Sequence, residues 1–314
     1  MEKKNISPED WHKLEGEIPF RMTNDYLFRA LMQENNSVLS AFIASLLGWK
    51  KEDITSATIE NPIMLGSVMM QKDFILDVHV LINNSRNINL EMQVLDEHNW
   101  PERSLIYLCR VFDDINPDDD YRDIKPAHHI GILSFNLFPD TPEFYATYQL
   151  LNVNNFQKYT DKFTLSVLSL SCIDKATAED KASHLDEWAA MYKARKWEEL
   201  RMLAQKNPDI DNAVTTMFTL SNEKIVKEQM RAREDYYRLQ RSYDLLIKDQ
   251  EKELAENEKE LTVQRKELAD SKKELADSKK ELADSKKELA DSKKELADRD
   301  KRIAELEAML ASRK

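Results

Sequence analysis

Glycine is scarce in this chain: Gly16, Gly48, Gly66 and Gly131 are the four in 314 residues. They form no Gly-rich loop to cradle phosphates and no Gly-x-Ser-x-Gly elbow, so kinase, P-loop, dinucleotide-binding and serine-hydrolase readings lose support. Cysteine is scarce too. Cys109 and Cys172 each sit in an apolar run, which predicts buried reduced thiols rather than a disulfide framework or a zinc site. The longest apolar stretch, VLSAFIASLLGW, is shorter than the roughly 18 to 20 residues that cross a bilayer. The opening MEKKNISPEDWHKLEGE carries no signal-peptide apolar region, so the expectation is a cytoplasmic protein without a membrane partner.

A basic surplus is also missing where it would be useful. Residues 1–200 hold 20 Lys+Arg against 32 Asp+Glu, while 201–314 hold 26 of each, so the whole net charge of −12 comes from the first part. A sequence-independent nucleic-acid binder normally carries the opposite excess. Any DNA contact would depend on a local basic patch, bound metal ions or a partner.

With 41% apolar and 33% charged residues, the composition is that of a soluble chain with one or two domains. In NDYLFRALMQENNSVLSAFIASLL (24–47) the apolar residues recur every three or four positions, predicting two helices broken near Asn35 and Asn36. Thr23 or Asn24 would cap the first, and Gly48 would end the second. Strand-like runs follow: ITSATIEN, HHIGILSFNLF, YATYQLLNV, KFTLSVLSL and a hairpin over ILDVHVLINNSRNINLEMQV (75–94). Between the hairpin and HHIGILSF lies PERSLIYLCRVFDDI, with Leu105, Leu108, Phe112 and Ile115 predicted on the buried face of a helix. A helix between strands indicates a mixed α/β or α+β sheet. From about 175 the chain turns helical, HLDEWAAMYKARKWEELRMLAQ being the clearest amphipathic segment.

The C-terminal part is of low complexity. ELADSKK repeats in tandem through 274–294, and apolar residues recur every seven positions at Leu254, Leu261, Leu268, Leu275, Leu282, Leu289, Leu296, Ile303 and Leu310. A coiled-coil seam needs two apolar positions per heptad, yet the second is Lys or Ser here, so the coiled coil should be weak. At 1.5 Å per residue a helix over 236–312 would reach roughly 115 Å. Homo-oligomerisation through these heptads is one expectation; a solvated helix is the alternative.

The hairpin carries the chemistry. Taking NNSRN (83–87) as its turn places Asp77 opposite or nearly opposite Gln93 and His79 near Glu91, to within a residue or two. Alternation puts Leu76, Val78, Val80, Ile82, Ile88, Leu90, Met92 and Val94 on one face and Asp77, His79, Asn89, Glu91 and Gln93 on the other. Two neighbouring carboxylates repel unless a positive group lies between them, and a hard divalent cation does this well. On spacing alone, an acid-bearing, solvent-facing strand side is the competing explanation. On the following helix Arg103, Tyr107 and Arg110, at i, i+4 and i+7, form a row suited to DNA phosphates or simply to solvent, and Lys72 is similarly ambiguous. Two tempting signals fail. DDINPDDDYRD lacks the glycine and terminal glutamate of a calcium loop, and His128 and His129 must point to opposite faces of a strand, one of them into the core.

TNDYLFRALM, KDFILDVHV, NINLEMQ, RSLIYLCRVF, IKPAHHIGILSFNLF, KFTLSVLSL and LDEWAAMYKA occur in an order and spacing that resembles the PD-(D/E)XK nuclease family transposases, the Rpn-like recombination-promoting nucleases, over residues 20–245. The resemblance implies a restriction-endonuclease-like mixed sheet flanked by helices, cutting DNA with Mg²⁺ or, in its place, Mn²⁺. Asp77 then matches the motif aspartate, Glu91 the glutamate, and Gln93 the position that is lysine in the wider superfamily. The exchange removes a positive charge that would orient and acidify the attacking water, though a neutral amide can still hold it. The Met92 carbonyl would assist metal binding from the strand. Asp25 resembles an acidic position of the family and is a further candidate ligand; a first-turn helix acid near the positive end of the dipole is its ordinary reading. The expected organisation is an N-terminal extension (1–20), a nuclease-like core (21–174), a helical region (175–235) and a heptad-repeat helix (236–314). The rivals are a non-catalytic DNA-binding or regulatory relative and an interaction protein acting through its C-terminal coiled coil.

Overall fold

The computed structural model describes residues 7–62, 77–114, 118 and 120–311. Two compact units emerge, residues 1–239 and 240–314. In the first, α1 (Asp25–Glu34) begins where the Asn24 side chain accepts from the Leu27 N–H, and α2 (Asn36–Leu47) where Asn35 accepts from Val38. Gly48 ends α2 in the left-handed region at φ 65°. Of the two cap candidates Asn24 is the one used, and the helix break falls as expected.

Six strands follow: β1 (Ala57–Ile59), β2 (Val78–Ile82), β3 (Arg86–Gln93), β4 (Ala127–Leu133), β5 (Tyr145–Gln149) and β6 (Phe163–Ser169), with α3 (Trp100–Phe112) between β3 and β4. They form one mixed sheet in the order β1-β2-β3-β4-β6-β5, where β3, β4 and β6 run parallel and the other pairs antiparallel. The second half of this unit adds α4 (Ala178–Ala182), α5 (Leu185–Lys193), α6 (Trp197–Ala204) and α7 (Pro208–Asn222), before α8 (Lys224–Ala311) begins. The amphipathic segment 184–205 is thus two helices, parted where Ala194 leaves helical geometry at ψ 140°.

One apolar face of the sheet makes the main core. Val78, Val80, Ile82, Ile88, Leu90 and Met92 are buried together with Phe28 and Leu31 of α1, Phe42 of α2, Trp188 of α5 and Met217 of α7. This is the alternation expected of the hairpin. The register differs from expectation. Ile82 pairs with Arg86 and Val78 with Leu90, so three residues turn the chain rather than five, and His79 faces Asn89. Asn83 and Asn84 adopt φ of 50° and 55°, which asparagine tolerates better than most residues. The Asn83 side chain locks the turn by accepting from the N–H groups of Thr55 and Ser56 and donating to the Asp53 carbonyl.

On the other face α3 lies over the sheet and corrects the predicted stripe. Trp100, Ser104, Leu108 and Val111 are buried, whereas Leu105 is 51% exposed. The helix must cover polar as well as apolar strand residues, which rotates Arg103 and Tyr107 inward and Leu105 outward. The same rotation exposes Cys109; Cys172 alone is the buried thiol expected of both. Gly131 in β4 permits the close approach, since a Cβ there would sit 2.0 Å from the Trp100 ring.

In the second unit α8 continues without interruption, and the described heptad residues from Leu254 to Ile303 are about half exposed. Among the described residues no helix is long and apolar enough to cross a membrane.

Candidate active site

Continuing the β2–β3 register one step past Val78–Leu90 sets Asp77 against Glu91, closer than the sequence pattern implied. Neither residue faces solvent. Asp77 is 7% exposed and Glu91 4%, with Asn89 and His129 fully buried beside them, which overturns the solvent-facing strand reading. Both histidines of β4 are buried, not one. His128 points into the main core side and bonds Ser166, while His129 lies under α3, stacked between Trp100 and Tyr107.

Each carboxylate is held by a different device. Glu91 Oε1 accepts from Arg103 Nε at 2.8 Å and lies 2.6 Å from Nη2, while its Oε2 faces His129 Nε2 at 3.8 Å. Asn89 Nδ2 lies 2.9 Å from His129 Nδ1, so with the amide donating, the ring proton sits on Nε2 and points at Glu91. Burial pushes the Glu91 carboxyl up to about 7 against the pull of Arg103. The same cause raises Asp77, opposed chiefly by Arg29. His129 is held far below its usual range, to about 3, by burial, and stays neutral.

Arg29 was not foreseen. It is fully buried in α1 and its guanidinium donates to the Asp77 and Asn61 carbonyls and to Asn61 Oδ1, pinning the entry to β2. An arginine inside an otherwise apolar helix face was the available signal. Also unforeseen are Arg233, Tyr236 and Tyr237 at the start of α8. Arg233 grips the Asp25 carboxylate with Nε and Nη2 and lies 4.9 Å and 5.1 Å from the ring centroids of Tyr236 and Tyr237. Nothing local marks these residues, because their site partner, Asp25, is 208 positions away.

A cleft of about 490 Å³ gathers most of the expected residues: Asp25, Asp77, Glu91, Met92, Gln93, Arg103 and Tyr107, together with Arg233, Tyr236 and Tyr237. Arg110 is outside its lining. It is exposed on α3, with its guanidinium 5.6 Å from the Tyr107 ring. Lys72 lies outside the described residues.

The donor set fits a hard divalent cation. Among the described residues Asp77 Oδ1 and Glu91 Oε2 are buried oxygens without a hydrogen-bond partner, a costly state when nothing else satisfies them. The Gln93 carbonyl accepts from Ser134 N–H on the β4 side, so strand alternation turns the Met92 carbonyl to the opposite edge. Among the described residues no group of three or more His, Cys, Asp or Glu is placed to hold a metal. Two carboxylates and one carbonyl are oxygen donors of the kind a hard divalent cation takes.

A family model described as PD-(D/E)XK nuclease family transposase matches residues 22–244. No curated protein and no solved structure gives a match.

Proposed function

The chain belongs to the PD-(D/E)XK nuclease family transposases, and from that premise we propose that it is a divalent-metal-dependent DNA endonuclease, with Mg²⁺ as the cofactor and Mn²⁺ able to replace it. The observation that carries this reading is the pair of partnerless buried oxygens, Asp77 Oδ1 and Glu91 Oε2, in a cleft that also presents Arg103 and Arg233. Cations for phosphate and anions for metal are the two halves of a phosphodiesterase site.

In this mechanism Asp77, Glu91 and the Met92 carbonyl would hold the cation, with Asp25 as a further candidate. When bound, the cation supplies Lewis-acid polarisation of the phosphate and a more acidic water. Gln93 donates its Nε2 to the Leu95 carbonyl at 3.1 Å, which anchors the amide and leaves Oε1 to accept from the water that attacks phosphorus. As the water oxygen bonds phosphorus its proton passes to bulk solvent, the P–O bond to one sugar breaks, and that sugar oxygen takes up a proton from solvent. Arg103, with Tyr107 under its guanidinium, meets the phosphate, and Arg110 extends the contact along the backbone. Beyond Tyr237, the heptad-repeat helix acts apart from the chemistry, as an oligomerising helix.

Incubation of purified protein with supercoiled plasmid and Mg²⁺ tests the reading. Nicking that disappears in Asp77→Ala and Glu91→Ala is expected. Equal nicking by those variants identifies a contaminant. DNA binding without nicking by wild-type protein selects the non-catalytic relative, a reading that Gln93 in place of lysine favours.

A further inference from the structure

The cleft lining carries four carboxylates, Asp25, Asp77, Glu91 and Glu97, and two guanidiniums, Arg103 and Arg233, with the buried Arg29 next to Asp77. Arg233 takes Asp25, Arg103 takes Glu91 and lies 3.6 Å from Glu97, and Arg29 donates to the backbone carbonyl of Asp77. The three arginines differ in freedom. Arg29 is fully buried and spends its donors on backbone carbonyls, so it cannot leave. The Arg103 side chain is 31% exposed and that of Arg233 12%, and both border the cleft. Each also has an aromatic ring beneath it: Tyr107 at 5.5 Å from Arg103, and Tyr236 and Tyr237 beside Arg233. A guanidinium resting on a ring can give up a carboxylate and still be held.

Charge arithmetic follows from this pairing. Four carboxylates against three guanidiniums leave one net negative charge, and Arg103 and Arg233 cover the carboxylates of Glu91 and Asp25. A divalent cation arriving alone meets Arg103 on the very carboxylate it needs. A phosphate arriving alone meets the negative Asp77 and Glu91. Arriving together, phosphate takes the arginines, for which its geometry is suited, and the cation takes the freed carboxylates.

Building on the nuclease reading, we propose that Arg103 and Arg233 are exchangeable guards: they neutralise Glu91 and Asp25 in the DNA-free protein and transfer to backbone phosphates when DNA enters, which releases the carboxylates for the cation. DNA and cation then bind with positive coupling, each raising the affinity of the other by the same factor. The site stays closed to metal until substrate is present.

The test is Ca²⁺ titration of the full-length protein by calorimetry, with and without a short DNA duplex, Ca²⁺ serving as an oxygen-seeking cation of the same class. Wild-type protein is expected to bind Ca²⁺ at least about tenfold more tightly with the duplex, the scale of one charge-assisted hydrogen bond. Arg103→Gln and Arg233→Gln are expected to tighten DNA-free Ca²⁺ binding by about tenfold and to shrink the DNA enhancement. A purely structural arginine would weaken metal binding on removal. Arg103→Lys and Arg233→Lys, which keep the charge but lose the fork, give a smaller tightening and serve if the glutamine variants do not fold. DNA-free affinity that is unchanged or reduced in every arginine variant overturns the exchange. If Glu91→Gln abolishes Ca²⁺ binding in that case, the metal site itself stands. Wild-type protein that binds Ca²⁺ neither alone nor with DNA removes both proposals.

Discussion

His129 Nε2 and Glu91 Oε2 face each other at 3.8 Å, and neither has a hydrogen-bond partner among the described residues. The histidine arrives on β4 and the glutamate on β3, strands joined in parallel with Asn89 directly across from His129. The relay from Asn89 through the neutral ring to Glu91 is therefore set by backbone register. It aims a neutral N–H at the carboxylate across the 3.8 Å gap and adds no charge to the site.

Replacing His129 with phenylalanine keeps the aromatic stack and removes the Nε2–H. The expected result is a loss of cation affinity by about 10- to 100-fold, the range for partners that orient a ligating group, with partial recovery in His129→Gln. Mn²⁺ affinity measured by electron paramagnetic resonance checks this, and an unchanged constant in His129→Phe would contradict it.

Glu91 makes the metal-free protein sensitive to pH. Its carboxyl is raised from an ordinary 4.5 to about 7 by burial, so between those values the folded state binds the proton more tightly than the unfolded state. That stability is fully present below 4.5 and is lost as pH rises through 7, at up to about 1.4 kcal/mol per pH unit. Urea melts of wild type and Glu91→Gln at several pH values should show this slope in the difference between them. A difference that does not vary with pH would refute the assignment.

Gly131→Ala drives a methyl group into the Trp100 ring, at an unrelaxed separation of 2.0 Å. Either α3 or β4 must shift, at a cost of roughly 1–3 kcal/mol. A lowered Tm together with altered tryptophan fluorescence is expected, while an unchanged melting curve would mean the helix does not pack as described.

Arg29→Leu takes the guanidinium from the Asp77 and Asn61 carbonyls, leaving Asp77 the Asn61 Nδ2–H at 3.2 Å, and should cost about 3 kcal/mol. Arg29→Lys recovers little, because one ammonium cannot span two carbonyls as the guanidinium fork does. Chemical denaturation of both variants decides the point; near-wild-type stability of the lysine form would count against the fork.

Removing residues 250–314 should leave the melting temperature of the first unit unchanged and abolish self-association. The tail's leucines, such as Leu275 at 56% and Leu282 at 57% exposed, have one apolar position per heptad to offer a second copy. Sedimentation equilibrium of intact and shortened chains provides the comparison, and an intact chain that stays monomeric at every concentration would rule out the oligomer.

Alternation and capping made much of the architecture readable in advance. The apolar set Val78, Val80, Ile82, Ile88, Leu90 and Met92, the Asn35 break, the Gly48 stop and all six strands follow from near neighbours in the chain, where a period of two or three to four decides which face is wet. The acidic pair Asp77 and Glu91 was visible for the same reason. Their exact pairing was not, since the number of turn residues depends on whether Asn83 and Asn84 accept a left-handed backbone, and that is decided by the Asn83 bonds to Asp53, Thr55 and Ser56.

By itself the amino-acid order determined which residues could be acids in a strand, which helices would form and where they would stop, because those outcomes are governed by contacts a few residues apart. Tertiary structure alone decided that Arg103 turns inward, that His129 lies beneath Glu91 and that Arg233 reaches Asp25. Those relationships depend on how α3 and α8 pack, and packing is settled by the sum of many distant contacts, which no local period records.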